Sequence, residues 1–116
     1  MSHGALARVT ARADYLKANG GRRAAMPGFV LLVYPRNDGD PTPRIGITVS
    51  KKVDSRAVVR NRMKRRFRAL ACEVLASEGI AGADHILIGR GGPGIERSWD
   101  DLRADLVKAI RKAAPR

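Results

Sequence analysis

From about Ala57 the apolar residues of this chain change from a period of two to a period of 3.6. That change constrains the fold more than any other feature. Val59, Met63, Phe67, Leu70 and Val74 recur at spacings of four, four, three and four, which lines them along one side of a helix. Gly79 is expected to end it. Just upstream, Ile45, Ile47 and Val49 alternate with Gly46, Thr48 and Ser50. Arg44–Lys52 therefore reads as a half-buried strand with a polar face. A helix with one apolar stripe and a strand with one apolar face each need a partner layer, so the chain is expected to mix helices and sheet.

The remaining elements follow from local signals. Thr10 is placed to cap a short helix over Ala11–Ala18, stopped by Asn19-Gly20-Gly21. Arg22–Met26 can supply a short strand, and Phe29–Tyr34 is a β-rich run. Pro35–Pro43 is dense in turn residues, so Phe29–Tyr34 and Arg44–Lys52 are expected to pair antiparallel across it. His85–Ile88 reads as a buried strand and Gly89–Gly94 as a loop. Ser98 and Asp101 form a capping box for a last helix with Leu102, Leu106, Ala109 and Ile110 on its core face. The expected order is α-β-β-β-α-β-α, an α/β (α+β) sandwich with helices covering one sheet. At 116 residues it is one domain, 1–116, with 1–9 and 113–116 expected to be flexible ends.

Charge narrows the function. Lys and Arg number 23 against 11 Asp and Glu, a net charge of +12. A compact domain so charged repels itself and suits a polyanionic partner. Lone Cys72 rules out an internal disulfide or a multi-cysteine zinc site, and His3 and His85 lie far apart without a ligand cluster. No run approaches a membrane span or a signal-peptide core, which predicts a cytoplasmic location. Nine cations fall within Lys51–Arg68: Lys51, Lys52, Arg56, Arg60, Arg62, Lys64, Arg65, Arg66 and Arg68, opposed by Asp54 alone. On a helical wheel Asn61, Arg65, Arg68 and Cys72 lie opposite the apolar stripe, with Arg62 and Lys64 on the shoulders. Arg60 and Arg66 sit nearer the apolar edge, where their stems can cover core. A solvated helix face normally interleaves acids four residues away, yet none occurs between Asp54 and Glu73. Guanidinium forks suit phosphate, and Asn61 offers a donor and an acceptor to a sugar or base edge.

The run Gly46–Val53 (GITVSKKV), followed by Ala57–Arg65 (AVVRNRMKR) and Arg68, resembles the signature of the bacterial ribonuclease P protein family, whose hallmark is the Arg-Asn-Arg helix. Arg12–Leu16 resembles the family's first helix, and His85–Arg90 its fourth strand and following arginine, so the likeness covers most of the chain. It implies a fold like the second domain of ribosomal protein S5, with a left-handed crossover through the Arg-Asn-Arg helix. It also implies a protein that binds ribonuclease P RNA, one protein per RNA subunit, and holds the 5′ leader of precursor tRNA. The RNA would perform the hydrolysis with magnesium ions (Mg2+) held mainly by RNA. Matched residue by residue, the RNA-binding group falls on Arg60, Asn61, Arg62, Lys64, Arg65 and Arg68. The leader cleft falls on Tyr15, Ser50, Lys51, Lys52 and Arg90. The sequence departs from the family where Ala18-Asn19-Gly20 replaces a second aromatic, Leu32 replaces a strand aromatic, and Asp54 replaces a common glycine.

Other constellations read as structural. Asp100 and Asp101 suit the first turn of a helix rather than a metal site. GRGGPG lacks the Lys-Ser/Thr of a phosphate loop and reads as a connection, with Arg90 its one functional residue. Trp99 reads as packing. No paired-acid or His/carboxylate constellation suggests a self-sufficient nuclease. Two other readings of the basic helix are a ribosomal RNA-binding protein of related fold and a DNA-binding regulator. The regulator is disfavoured because no second short helix precedes the basic one.

Overall fold

The computed structural model describes residues 7–91 and 93–114. In chain order the elements are β1 (Ala7–Arg8), α1 (Arg12–Ala18), β2 (Arg22–Ala25), β3 (Phe29–Pro35), β4 (Arg44–Thr48), α2 (Ala57–Glu78), β5 (Ala83–Gly89), α3 (Pro93–Glu96) and α4 (Trp99–Ala113). The strands form one sheet in the order β1-β4-β5-β3-β2. β4 runs parallel to both β1 and β5, while β3 is antiparallel to β5 and β2. The expected element sequence is present, preceded by β1 and with α3 inserted before the last helix.

The antiparallel pairing of Phe29–Tyr34 with Arg44–Lys52 does not form. β5 lies between them, its run Ala83–Leu87 buried and paired with β4 on one side and β3 on the other. The turn-rich connection carries the chain past the end of β5. Arg36 folds it there, its backbone N–H donating to Gly82 O and its guanidinium to Asp40 O and Thr42 O.

Two apolar layers flank the sheet. The larger packs Met63, Phe67, Leu70, Val74 and Leu75 of α2 and Leu102, Leu106 and Ile110 of α4 over Leu31, Val33, Ile45, Val49 and Leu87. Phe67 meets Phe29 edge to face, ring centroids 6.0 Å apart. Trp99 packs at the margin of this layer. The smaller layer, under α1, gathers Val9, Ala18, Val30, Leu32 and Ile86 with Tyr15, Tyr34 and Ile88.

Several boundaries differ from expectation for local reasons. Ala7 and Arg8 are not loose: they form β1, and Val9 is buried, its N–H donating to Ile45 O at 2.8 Å. Ala113 likewise ends α4 as a buried residue. Residues 1–6 and 115–116 lie outside the described residues. Ala11, not Thr10, takes the N-cap position of α1, without a side-chain cap. β4 stops at Thr48, and Ser50–Val53 turn, Val53 N–H donating to Ser50 O. Val59 is half-exposed rather than core, since the sheet extends under α2 only from Met63 onward. Pro93–Glu96 interrupts the expected loop with one short helix. Gly79 does end α2, in an extended rather than left-handed conformation (φ −61°), and a Cβ there would stand 2.6 Å from Leu75 O, so the position favours glycine. Ser98 caps α4, accepting from Asp101 N–H at 3.2 Å, and only this forward half of the capping box forms among the described residues.

Candidate nucleic-acid interface

The cations of Lys51–Arg68 divide into two sets. Arg56, Arg60 and Arg66 are spent on the fold. Arg56 forks onto Asp54, whose carboxyl is drawn down to about 2 by that pair and by the Arg56 backbone N–H. Arg60 donates to Asp54 O at 2.9 Å and Ser55 O at 2.7 Å, pinning the loop that enters α2. Arg66 donates to Ile95 O and Arg97 O, tying the segment around α3 to α2. Lys51, Lys52, Arg62, Lys64, Arg65 and Arg68 make no ion pair among the described residues. Asn61, Arg62 and Arg65 are exposed, Lys64 and Arg68 half-buried. The first turn of α2 carries no acid and no side-chain cap, so the partial positive charge of its N-terminus adds to the same face. Val58, 78% exposed, stands three, four and seven residues before Asn61, Arg62 and Arg65. It belongs to this face by helical spacing, and the charge pattern alone passed over it.

The second group assembles where β4 and β5, parallel neighbours, end side by side. Ser50, Lys51 and Lys52 follow β4 and Arg90 follows β5; all four are exposed at the end of the sheet from which α2 starts. Arg90 is partly anchored, its guanidinium donating to Met26 O at 3.1 Å and its N–H to Gly28 O at 2.9 Å. Tyr15 reaches β4 from α1. Its ring lies so close to Gly46 that a Cβ there would stand 2.8 Å from both Cε1 and the phenolic oxygen. Its hydroxyl donates to Val9 O at 3.2 Å. Beside the ring opens a cavity of about 350 Å³ lined by Thr10, Arg12, Tyr15 and Thr48. Leu32 and Tyr34 share the apolar layer under α1 with Tyr15.

Residues 5–114 match the family model described as Ribonuclease P. The chain belongs to the ribonuclease P protein family. It is 57% identical to the ribonuclease P protein component of Erythrobacter litoralis over 105 residues, covering 90% of this chain and 84% of that one. It is 46% identical to that of Gluconacetobacter diazotrophicus, covering 94% and 92%. The fold resembles the RNase P protein of Staphylococcus aureus (TM-score 0.75, 29% identity, 95% and 97% covered). It also resembles that of Thermotoga maritima (TM-score 0.77, 25% identity, 93% and 98% covered).

In this ribonuclease P family member a buried charge cluster ties the starts of β4 and β5 to α1, at the other end of the sheet from Ser50 and Arg90, and nothing local in the sequence announces it. Asp84, 1% exposed at the start of β5, takes a bidentate pair from Arg44 (Nε–Oδ1 and Nη2–Oδ2, each 2.6 Å) and a third bond from Arg36 at 3.0 Å. Arg44 also reaches Asp14 on α1 at 3.4 Å. These hydrogen bonds and the nearby charge of Asp84 push the Arg44 guanidinium further up. Beside the cluster, His85 is fully buried, with Ile80 N–H donating to Nε2 at 3.1 Å and Nδ1 3.2 Å from Arg44 O. Burial lowers its pKa. His3 lies outside the described residues.

The acids near α4 are used structurally. Asp105 pairs with Arg97 at 2.5 Å, and Asp100 with Arg103. Among the described residues no three His, Cys, Asp or Glu side chains converge. No helix among them is long and apolar enough to cross a membrane.

Proposed function

We propose that this chain is the non-catalytic subunit of ribonuclease P, binding ribonuclease P RNA through Asn61, Arg62, Lys64, Arg65 and Arg68 on α2, with Arg60 shaping the loop that enters the helix. The 5′ leader of precursor tRNA would lie between α1 and the ends of β4 and β5, against Tyr15, Ser50, Lys51, Lys52 and Arg90. The RNA subunit would carry out the hydrolysis, with magnesium held mainly by RNA, one protein per RNA, in the cytoplasm.

One observation carries this reading: six cations on and before α2 have no protein partner among the described residues, while the arginines around them are committed. Packing a helix that leaves its charges unrelieved is costly for an isolated domain, and phosphates relieve it. The parallel ends of β4 and β5 support the leader assignment. They bring a hydroxyl, two lysines and an arginine to one end of the sheet, while Tyr15 lies over Gly46 of β4 beside a cavity that Thr48 also lines, the kinds of group that suit a single strand. Arg60 enters the reading as a residue that shapes the loop before α2, since Asp54 O and Ser55 O take Nη1. Mixed with ribonuclease P RNA, the purified protein should restore 5′-end maturation of precursor tRNA. A protein that binds the RNA without changing cleavage would overturn the proposal.

A further inference from the structure

Beside the basic face of α2 lies a cavity of about 390 Å³ that the charge pattern does not explain. Val59 and Met63, one helical turn apart, form its apolar side from α2, and Ile95 closes it from α3. Arg62 and Arg66 stand on the rim. Arg66 is fixed there by Ile95 O and Arg97 O, and Arg97 is held in turn by Asp105, so the α3 wall is tied to both α2 and α4. Arg62 is exposed and makes no ion pair among the described residues.

We propose that this cavity receives one unpaired base of the RNA subunit. The inference rests on the reading of α2 as the RNA-binding face and adds a base-sized contact to it. A nucleotide joins a flat apolar ring to a phosphate. Val59, Met63 and Ile95 offer aliphatic surface to the ring, and Arg62 offers a guanidinium to the phosphate or to the ring face. Arg62 belongs both to the lining of the cavity and to the basic face, so a strand following that face reaches its mouth without leaving the protein. A basic rim on a chain of net charge +12 disfavours a cationic or neutral peptide as occupant. Arg66 ties the α3 wall to α2, which lowers the cost of ordering that wall on binding.

The test uses the full chain with its RNA subunit and probes base accessibility chemically, alongside binding at several salt concentrations. At least one unpaired base that reacts in the free RNA should be protected by the wild-type protein and react again with Val59→Ala or Ile95→Ala. Both substitutions should weaken binding by about fivefold or more and leave the slope of log K against log salt unchanged, since no phosphate contact is removed. Ile95 also packs against the main core. If Ile95→Ala melts early, the half-exposed Val59 decides alone. Binding by Val59→Ala within about twofold of wild type, or weakened binding with no base regaining reactivity, overturns the proposal. Arg65→Ala separates the two layers of the argument. If it flattens the salt slope while Val59→Ala is silent, only the cavity assignment fails. If it leaves the slope unchanged, the RNA-binding face itself is misplaced.

Discussion

Phe67 is fully buried against Phe29, whereas Arg65, two residues earlier on the same helix, faces solvent. Substituting each to alanine should therefore produce opposite phenotypes. Arg65→Ala should flatten the log–log salt dependence of RNA binding by about 0.7 to 0.9 and barely move the denaturation midpoint. Phe67→Ala should cost about 3–5 kcal/mol of stability, read by denaturant melting. Tyr15 is a mixed case, since its hydroxyl serves the fold and its ring borders an open cavity. Tyr15→Phe should lose about 1 kcal/mol of stability and keep leader affinity. Tyr15→Ala should weaken binding of leader-bearing precursor tRNA by about 1–3 kcal/mol and leave mature tRNA nearly unaffected. Equal losses for both ligands in a folded variant would return Tyr15 to the core.

At the scale of elements, the Asp84 cluster joins the start of β5 to the start of β4, the end of β3 and, through Arg44 and Asp14, to α1. Removing the carboxylate leaves two guanidinium groups facing each other in a largely buried site. Asp84→Ala should cost about 3–5 kcal/mol. Asp14→Asn cuts only the tie to α1, at a quarter-exposed pair, and should cost no more than about 1 kcal/mol. Comparable losses for the two variants in urea melts would mean that the cluster is not the junction described. Gly46 shows the same dependence in steric form, because any larger residue would drive the Tyr15 ring off β4.

For the molecule as a whole, the sign of the His85 shift sets a pH response. The neutral ring accepts from Ile80 N–H, and burial, aided by the Arg36 charge, keeps its folded pKa below the ordinary 6.5 against the opposing pull of the Arg44 carbonyl and Asp84. The unfolded chain therefore takes up a proton that the folded chain refuses as pH drops below about 6.5. Stability is complete above that pH and falls below it, by at most about 1.4 kcal/mol per pH unit. Asp38, Asp40 and Asp54, all drawn below their usual range, titrate at lower pH. Midpoints measured from pH 7.5 to 5 should fall for wild type and stay level for His85→Gln. The division of labour gives a further expectation: protein freed of RNA should leave precursor tRNA intact in magnesium buffer. Site-specific cleavage by such a preparation, abolished at one carboxylate, would assign the chemistry to the protein.

What the residues by themselves determined is whatever depends on neighbours close along the chain. The stripe of α2, the alternation of Ile45, Ile47 and Val49, the Ser98 cap and the Gly79 stop are all i to i+4 relations, and so is the unrelieved row of Asn61, Arg62, Arg65 and Arg68. The family signature adds Tyr15, Ser50, Lys51 and Arg90 as separate local matches. Tertiary structure alone decided which strands are neighbours. Local alternation is the same for a strand paired with β3 or with β5, and the doubly buried run of β5 took the central place. It also decided which cations remain available. The helical wheel sets Arg60 and Arg66 nearer the apolar edge, but only the fold brings alongside the carbonyl groups that take them up. The Arg36–Asp84–Arg44 cluster spans 40 to 48 residues, and charges that far apart in the chain meet only once the sheet has closed.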